Sequence, residues 1–129
     1  LDLQNGVMIK DNHLMVLNIE KINDIFNQII KNHPHTKIQI EVDEFAQLKN
    51  IINASSVNID AILLDNMNES EANKCANYIR KNKPNCFIEV SGGINIDNIA
   101  SYRNLNIDGI SVGSLTHQAV SKNIKLEFE

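Results

Sequence analysis

The 129-residue sequence predicts an α/β chain, a partial parallel βα barrel of the TIM-like kind, with about five βα units taken from a larger barrel domain. Three observations lead to that class. Apolar runs of strand length alternate with stretches of helical periodicity from one end of the chain to the other. The runs read as unbroken apolar segments, the pattern of strands covered on both faces in a parallel sheet. An internal echo then separates a barrel from an open doubly wound sheet. Asn58-Ile59-Asp60-Ala61-Ile62 returns as Asn106-Ile107-Asp108-Gly109-Ile110, as expected of equivalent units repeated around an axis.

The first strand is Gly6 to Ile9. A helix follows, with Ile19, Ile22, Ile25, Phe26, Ile29 and Ile30 in a stripe at spacings of three and four, and Pro34 ends it because proline cannot continue a helix. The second strand is Lys37 to Val42, and its helix carries Phe45, Leu48, Ile51 and Ile52 on one face. Asp60 to Leu64 forms the third strand. Asn68 with Glu71 three residues on is close to a capping box, opening a helix whose apolar face is Ala72, Cys75, Ala76 and Ile79. Cys86 to Val90 is the fourth strand, Asn95 marks the start of the fourth helix, and Gly109 to Val112 is the fifth strand. The tail Asn123-Ile124-Lys125-Leu126-Glu127-Phe128 alternates like a half-buried strand. Five units cannot close a barrel, so the remainder of the protein or another chain is expected to cover the open edge. Asp60 and Asp108 fall at strand entrances, on the face of a barrel that serves stability, and are read as structural.

Composition narrows the function classes. The net charge is -4 and no run of Lys and Arg occurs, which argues against nucleic acid and against a membrane surface, since both require a concentrated basic face. No apolar run approaches the roughly 18 residues of a membrane span, and no signal-peptide pattern opens the chain. Cys75 and Cys86 show no paired spacing and read as inert thiols of a reduced compartment, so the expected location is cytoplasmic. Leu1 is not an initiator methionine, and the chain reads as a piece of something longer.

The chemistry collects at the strand exits, which in order are Lys10, Glu41, Asp65, Ser91 and Gly113. In a βα barrel those exits line one mouth, where active sites are built. Ser91-Gly92-Gly93 precedes the Asn95 helix, and glycines there let backbone N–H groups approach an anion, although such a pair also serves as an ordinary tight turn. Gly113-Ser114-Leu115-Thr116-His117 is a second glycine turn, and two adjacent late turns are where barrels commonly hold phosphate. His117 is either a further donor to that phosphate or a surface residue. Glu41 and Asp65 suit ribose hydroxyls or a hard divalent ion such as Mg²⁺, or are solvated acids. Lys10 suits a substrate carboxylate or phosphate, with Asp11, Asn12 and His13 fixing its loop.

Five segments carry a resemblance to one family. Val7-Met8-Ile9-Lys10-Asp11-Asn12-His13, Ile40-Glu41-Val42-Asp43, Leu63-Leu64-Asp65-Asn66-Met67, Ser91-Gly92-Gly93-Ile94 and Ser111-Val112-Gly113-Ser114-Leu115-Thr116-His117 are similar, in order and register, to motifs of the quinolinate phosphoribosyltransferases. The resemblance implies phosphoribosyl transfer from phosphoribosyl pyrophosphate to quinolinate with decarboxylation, giving nicotinate mononucleotide for NAD biosynthesis. It implies that Lys10 binds a quinolinate carboxylate, that Glu41 and Asp65 engage the ribose hydroxyls and Mg²⁺, and that Ser91, Gly92, Gly93, Gly113, Ser114 and His117 hold the 5′-phosphate.

The departure from the family is large. Its N-terminal sandwich domain and first barrel strands, with an Arg-Lys-Thr segment and a His-Arg pair, have no counterpart in residues 1–129. A dicarboxylate and a triply phosphorylated sugar bring more negative charge than Lys10, Mg²⁺ and His117 can offset. Residues 1–129 alone are therefore expected to be inactive, and the full-length protein is expected to be a homodimer or larger homo-oligomer. Two other readings stay open: a related phosphoribosyltransferase acting on another acid, and a non-catalytic module that keeps only the sugar-phosphate mouth.

Overall fold

A computed structural model describes residues 7–9, 19–54, 58–112 and 124–127. The order of elements is β1 (Val7–Ile9), α1 (Ile19–Asn32), β2 (Ile38–Val42), α2 (Phe45–Ala54), β3 (Ala61–Asp65), α3 (Glu69–Asn82), β4 (Phe87–Ser91), α4 (Ile99–Arg103), β5 (Gly109–Val112) and β6 (Ile124–Glu127). Strands neighbour one another in sequence order. The pairings from β1 to β5 are all parallel, and β6 returns antiparallel on β5. A doubly wound sheet would reverse its order at a switch point; a singly wound arc of this kind is what a barrel contains. The edge of β5 is thus covered by the chain's own tail.

Register divides the sheet into two faces. Ile40, Ile62 and Ile88 form one row, and Val42, Leu64, Val90 and Ile110 form the next. All are buried, and they share one core cluster with Phe26 of α1, Leu48 and Ile51 of α2, and Ala72, Cys75, Ala76 and Ile79 of α3. Each such aliphatic side chain contributes roughly 2 kcal/mol by leaving water, so this layer is the main source of cohesion. Phe26, Leu48, Ile51, Ile52 and the stripe of α3 thereby enter the core as their periodicity predicts, with Ile29 and Phe45 packed against it, whereas Ile30 is 39% exposed.

The opposite face corrects the expectation of unbroken apolar strands. Strand β2 is Ile38-Gln39-Ile40-Glu41-Val42 and β4 is Phe87-Ile88-Glu89-Val90-Ser91, so both alternate. Successive strand residues point to opposite faces, and the polar ones turn away from the helices into the barrel interior. Gln39 and Glu89 are nonetheless buried, at 5% and 8% exposure. This face thus mixes chemistries, with Ala61, Leu63 and Phe87 beside Gln39, Glu41 and Glu89.

Local chemistry sets the element ends. The Asn68 side chain accepts the Glu71 N–H at 2.8 Å, capping α3, and Arg80 and Lys81 lie in its last turn. A cap of this kind is worth about 1 kcal/mol. Asn95 does not begin the fourth helix as expected. Its side chain accepts the N–H groups of Asp97 and Asn98, forming a turn, and helix α4 starts only at Ile99. Asparagine offers the backbone this local alternative to helix, and here the alternative wins.

The internal echo is a real structural repeat. The Asp60 carboxylate accepts the Ile38 N–H at 2.8 Å while the Asp60 N–H donates to the Ile38 carbonyl at 3.0 Å. Asp108 does the same with Ile88, at 2.8 Å in each direction. Each aspartate stitches the entrance of its own strand to that of the strand immediately before it, confirming the structural reading.

Candidate functional site at the strand exits

Parallel pairing sends every exit to the same rim. Glu41 is the penultimate residue of β2, Asp65 the last of β3 and Ser91 the last of β4; all three are half-buried. Glu41 pairs in register with Leu63 and Asp65 with Ser91, so the three lie on the face turned away from the helices, with Asp65 one step nearer the rim than Glu41. Lys10, Gly113, Ser114 and His117 lie outside the described residues.

Asp65 and the first glycine turn form a single knot. Ser91 Oγ donates to Asp65 Oδ1 at 3.4 Å, and the Asn66 N–H donates to the Ser91 carbonyl at 2.8 Å. Asn66 has φ 56°, in the left-handed region that asparagine tolerates better than most residues. Gly92 and Gly93 follow with φ 82° and 70°. A Cβ on Gly92 would stand 2.9 Å from Asn66 N and 3.0 Å from Asp65 Oδ1, whereas one on Gly93 would meet Asn66 Oδ1 at an ordinary 3.6 Å. Gly93 is glycine for its backbone conformation alone; Gly92 also has to admit the exit of β3. Sequence reasoning assigned these glycines to an approaching anion, but the nearest demand on Gly92 comes from the Asn66 backbone, with the Asp65 carboxylate beside it.

Neighbouring groups hold the knot. Asn98 Nδ2 donates to the Gly93 carbonyl at 2.8 Å, and Asn98 Oδ1 accepts the Asn95 N–H at 2.8 Å. The Tyr102 hydroxyl donates to the Met67 carbonyl at 2.9 Å, anchoring the segment after Asp65 to α4. Sequence reasoning did not single out Asn66, Asn98 or Tyr102. It also missed Glu89, which lies in the row Glu41, Leu63, Glu89, Gly109 and accepts a hydrogen bond from Ser111 Oγ. The signal was the alternation of β4, which places Glu89 two residues before Ser91 on the same face.

Chemically, the exit face presents carboxylates, a hydroxyl and glycine backbone. Among the described residues no three His, Cys, Asp or Glu side chains gather to hold a metal. Glu41 and Asp65 supply hard oxygen donors, and the coordination such a pair suits is one completed by substrate oxygens, as Mg²⁺ takes. The thiols are excluded from nucleophilic work. Burial pushes both Cys75 and Cys86 up to about 12, reinforced at Cys75 by the charge of Glu71 and opposed at Cys86 by Arg80.

A pocket of about 510 Å³ opens at the other end of the sheet, lined by Lys37, Asp60, Arg80, Cys86, Phe87 and Asp108 among others. Its charged groups are already engaged: Arg80 donates to Asp108 at 2.6 Å and to the Cys86 carbonyl at 2.9 Å, and Lys37 stands 4.0 Å from Asp60. Barrel chemistry belongs to the exits and not to this end. No helix among the described residues is long and apolar enough to cross a membrane.

Comparison with known proteins identifies the family. The profile of the family described as quinolinate phosphoribosyl transferase, C-terminal domain, matches residues 1–127. A protein of Methanocaldococcus jannaschii named a probable nicotinate-nucleotide pyrophosphorylase (carboxylating) is 36% identical, over 98% of this chain and 44% of its own length. The nicotinate-nucleotide pyrophosphorylase (carboxylating) of Rattus norvegicus is 31% identical, over 98% of this chain and 41% of its own. The crystal structure of the nicotinate-nucleotide pyrophosphorylase of Ehrlichia chaffeensis superposes with a TM-score of 0.69 at 33% identity, covering 95% of this chain and 41% of that one. The chain spans somewhat under half the length of the curated relatives it matches.

Proposed function

The chain belongs to the quinolinate phosphoribosyl transferase family, matching its C-terminal domain, and from that premise we propose that the protein containing it transfers the phosphoribosyl group of phosphoribosyl pyrophosphate to quinolinate. The products are nicotinate mononucleotide, pyrophosphate and carbon dioxide, a step of NAD biosynthesis. The observation that carries this reading is the convergence of Glu41, Asp65, Ser91 and the Gly92 turn at adjacent exits of parallel strands.

In this reaction the pyridine nitrogen forms a bond to the anomeric carbon of the ribose. Pyrophosphate departs with the electrons of the C–O bond, and positive charge develops on the sugar ring. Glu41 and Asp65 hold the ribose hydroxyls and stabilise that charge, in a site that excludes bulk water. Ser91, Gly92 and Gly93, together with Gly113, Ser114 and His117, hold the 5′-phosphate, and Lys10 pairs with a quinolinate carboxylate. The 2-carboxylate then leaves as carbon dioxide and a proton takes its place on the ring carbon. Positioning of the two substrates supplies much of the acceleration. Mg²⁺, bound by Glu41 and Asp65 with substrate oxygens, would neutralise charge on the departing pyrophosphate.

Charge also argues that residues 1–129 do not act alone. Glu41, Asp65 and Glu89 all turn to the inner face, so polyanionic substrates need cations beyond Lys10 and Mg²⁺. The rest of the protein, in a homodimer or larger homo-oligomer of the cytoplasm, supplies them. The test is pyrophosphate release by the full-length protein with quinolinate against nicotinate as acceptor. Turnover with quinolinate is expected; turnover with nicotinate but not quinolinate would reject the assignment.

A further inference from the structure

Resting on that reading, we infer that Glu89 is a positioning residue for the sugar-phosphate site: by gripping the Ser111 hydroxyl it fixes the exit of β4, which carries Ser91, Gly92 and Gly93, against β5, and so the hold on the 5′-phosphate. Glu89 sits two residues before Ser91 and three before Gly92. The pair therefore ties the strand that leads directly into this turn to its neighbour.

Between β3 and β4 the backbone register runs through to Asp65 and Ser91, at the rim. Between β4 and β5 the register among the described residues comprises Glu89 with Gly109 and Val90 with Ile110. One step nearer the rim than these pairs, Ser111 of β5 is held by the side chain of Glu89. Gly109, the register partner of Glu89, has no side chain to stand in the way. A carboxylate at 8% exposure is costly unless its oxygens are hydrogen-bonded, and a hydroxyl on the neighbouring strand meets that need. An apolar residue at position 89 would fill the same face more cheaply but could not tie β4 to β5 through its side chain. The carboxylate also lies in the row of Glu41, so it belongs to the inner face that the site shares.

The experiment uses the full-length protein and the variants Glu89→Ala, Ser111→Ala, their double variant and Glu89→Gln, which keeps an acceptor oxygen for Ser111. Loss of the link is expected to raise KM for phosphoribosyl pyrophosphate by about 10-fold in either alanine variant, with KM for quinolinate moved less than about twofold. The double variant should be no worse than the worse single, and Glu89→Gln should stay within about threefold of wild type. Ribose 5-phosphate binding, followed by calorimetry, should weaken in parallel and does not depend on which acid the enzyme accepts. Unchanged ribose 5-phosphate affinity in Ser111→Ala, which removes a single oxygen, overturns the inference even if Glu89→Ala fails to fold. Additive effects of the two substitutions, or equal losses for both substrates, overturn it as well. A wild-type protein that binds ribose 5-phosphate but ignores quinolinate would instead sink the functional reading and leave this inference standing.

Discussion

Strand β3 is bracketed by two aspartates in opposite surroundings. Asp60, at its entrance, accepts the Ile38 N–H at 2.8 Å and has Lys37 within 4.0 Å. Asp65, at its exit, has the Ser91 hydroxyl at 3.4 Å and the glycine turn pressed beside it. The unit two strands on repeats the entrance arrangement more strongly, with Arg80 at 2.6 Å from Asp108. The same residue type on the same sheet is thus structural where backbone donors and cations consume its oxygens. It is available for chemistry where parallel pairing delivers it to the rim. The end of the strand, and not the side chain, decides the role.

The sharpest way to break that contrast is at the exit. In the full-length protein Asp65→Ala and Glu41→Ala should each cut turnover by at least about 100-fold, as expected for groups that stabilise a transition state. Wild-type rates would remove either residue from the site. At the entrance the same substitution should instead cost stability. Asp108→Ala leaves the Ile88 N–H without its side-chain acceptor and Arg80 without its carboxylate partner, which should lower unfolding free energy by about 3 kcal/mol in urea titrations. Asp60→Ala should cost about 1 kcal/mol, because Lys37 is 52% exposed and its pairing is correspondingly weak. A reversed ranking would show that Arg80 is not what separates the two repeats.

The smallest effect expected is on the thiols, one of which, Cys86, lies at the entrance pocket. With both pushed up to about 12 from 9.0, a disulfide-exchange reagent at pH 8 should label neither in the native protein and both once it is unfolded. Above pH 9 the unfolded thiols ionise while the folded ones stay neutral. Their contribution to stability is therefore complete below pH 9 and declines as pH rises toward 12. A native thiol that reacts at pH 8 would contradict the burial described for it.

Legibility in the sequence follows from how local each feature is. The stripes of α1 to α3, the strand cores and the Asp60 and Asp108 echo depend on spacing along the chain, and all three were readable. The tail Asn123–Phe128 was readable as a strand from its alternation, but its seat on β5 was not. The exits of β2, β3 and β4 were readable because parallel topology turns sequence order into one rim. The start of α4 was misplaced at Asn95 because the same residue serves as a helix cap and as a turn former, and only neighbouring Asn98 and Gly93 decide between them. Reading β4 as an unbroken apolar run hid Glu89, since Phe87, Ile88 and Val90 outweighed the alternation around them. The pressure of Asn66 on Gly92 joins residues 26 apart, and no period along the chain reports it.

That contact makes the Asp65 carboxylate and the Gly92 turn one mechanical part. Side-chain growth at position 92, or a reset of the backbone at position 66, displaces both at once, so neither can drift by itself during divergence. Variation at this rim has to enter elsewhere, through surfaces that do not meet at this seam.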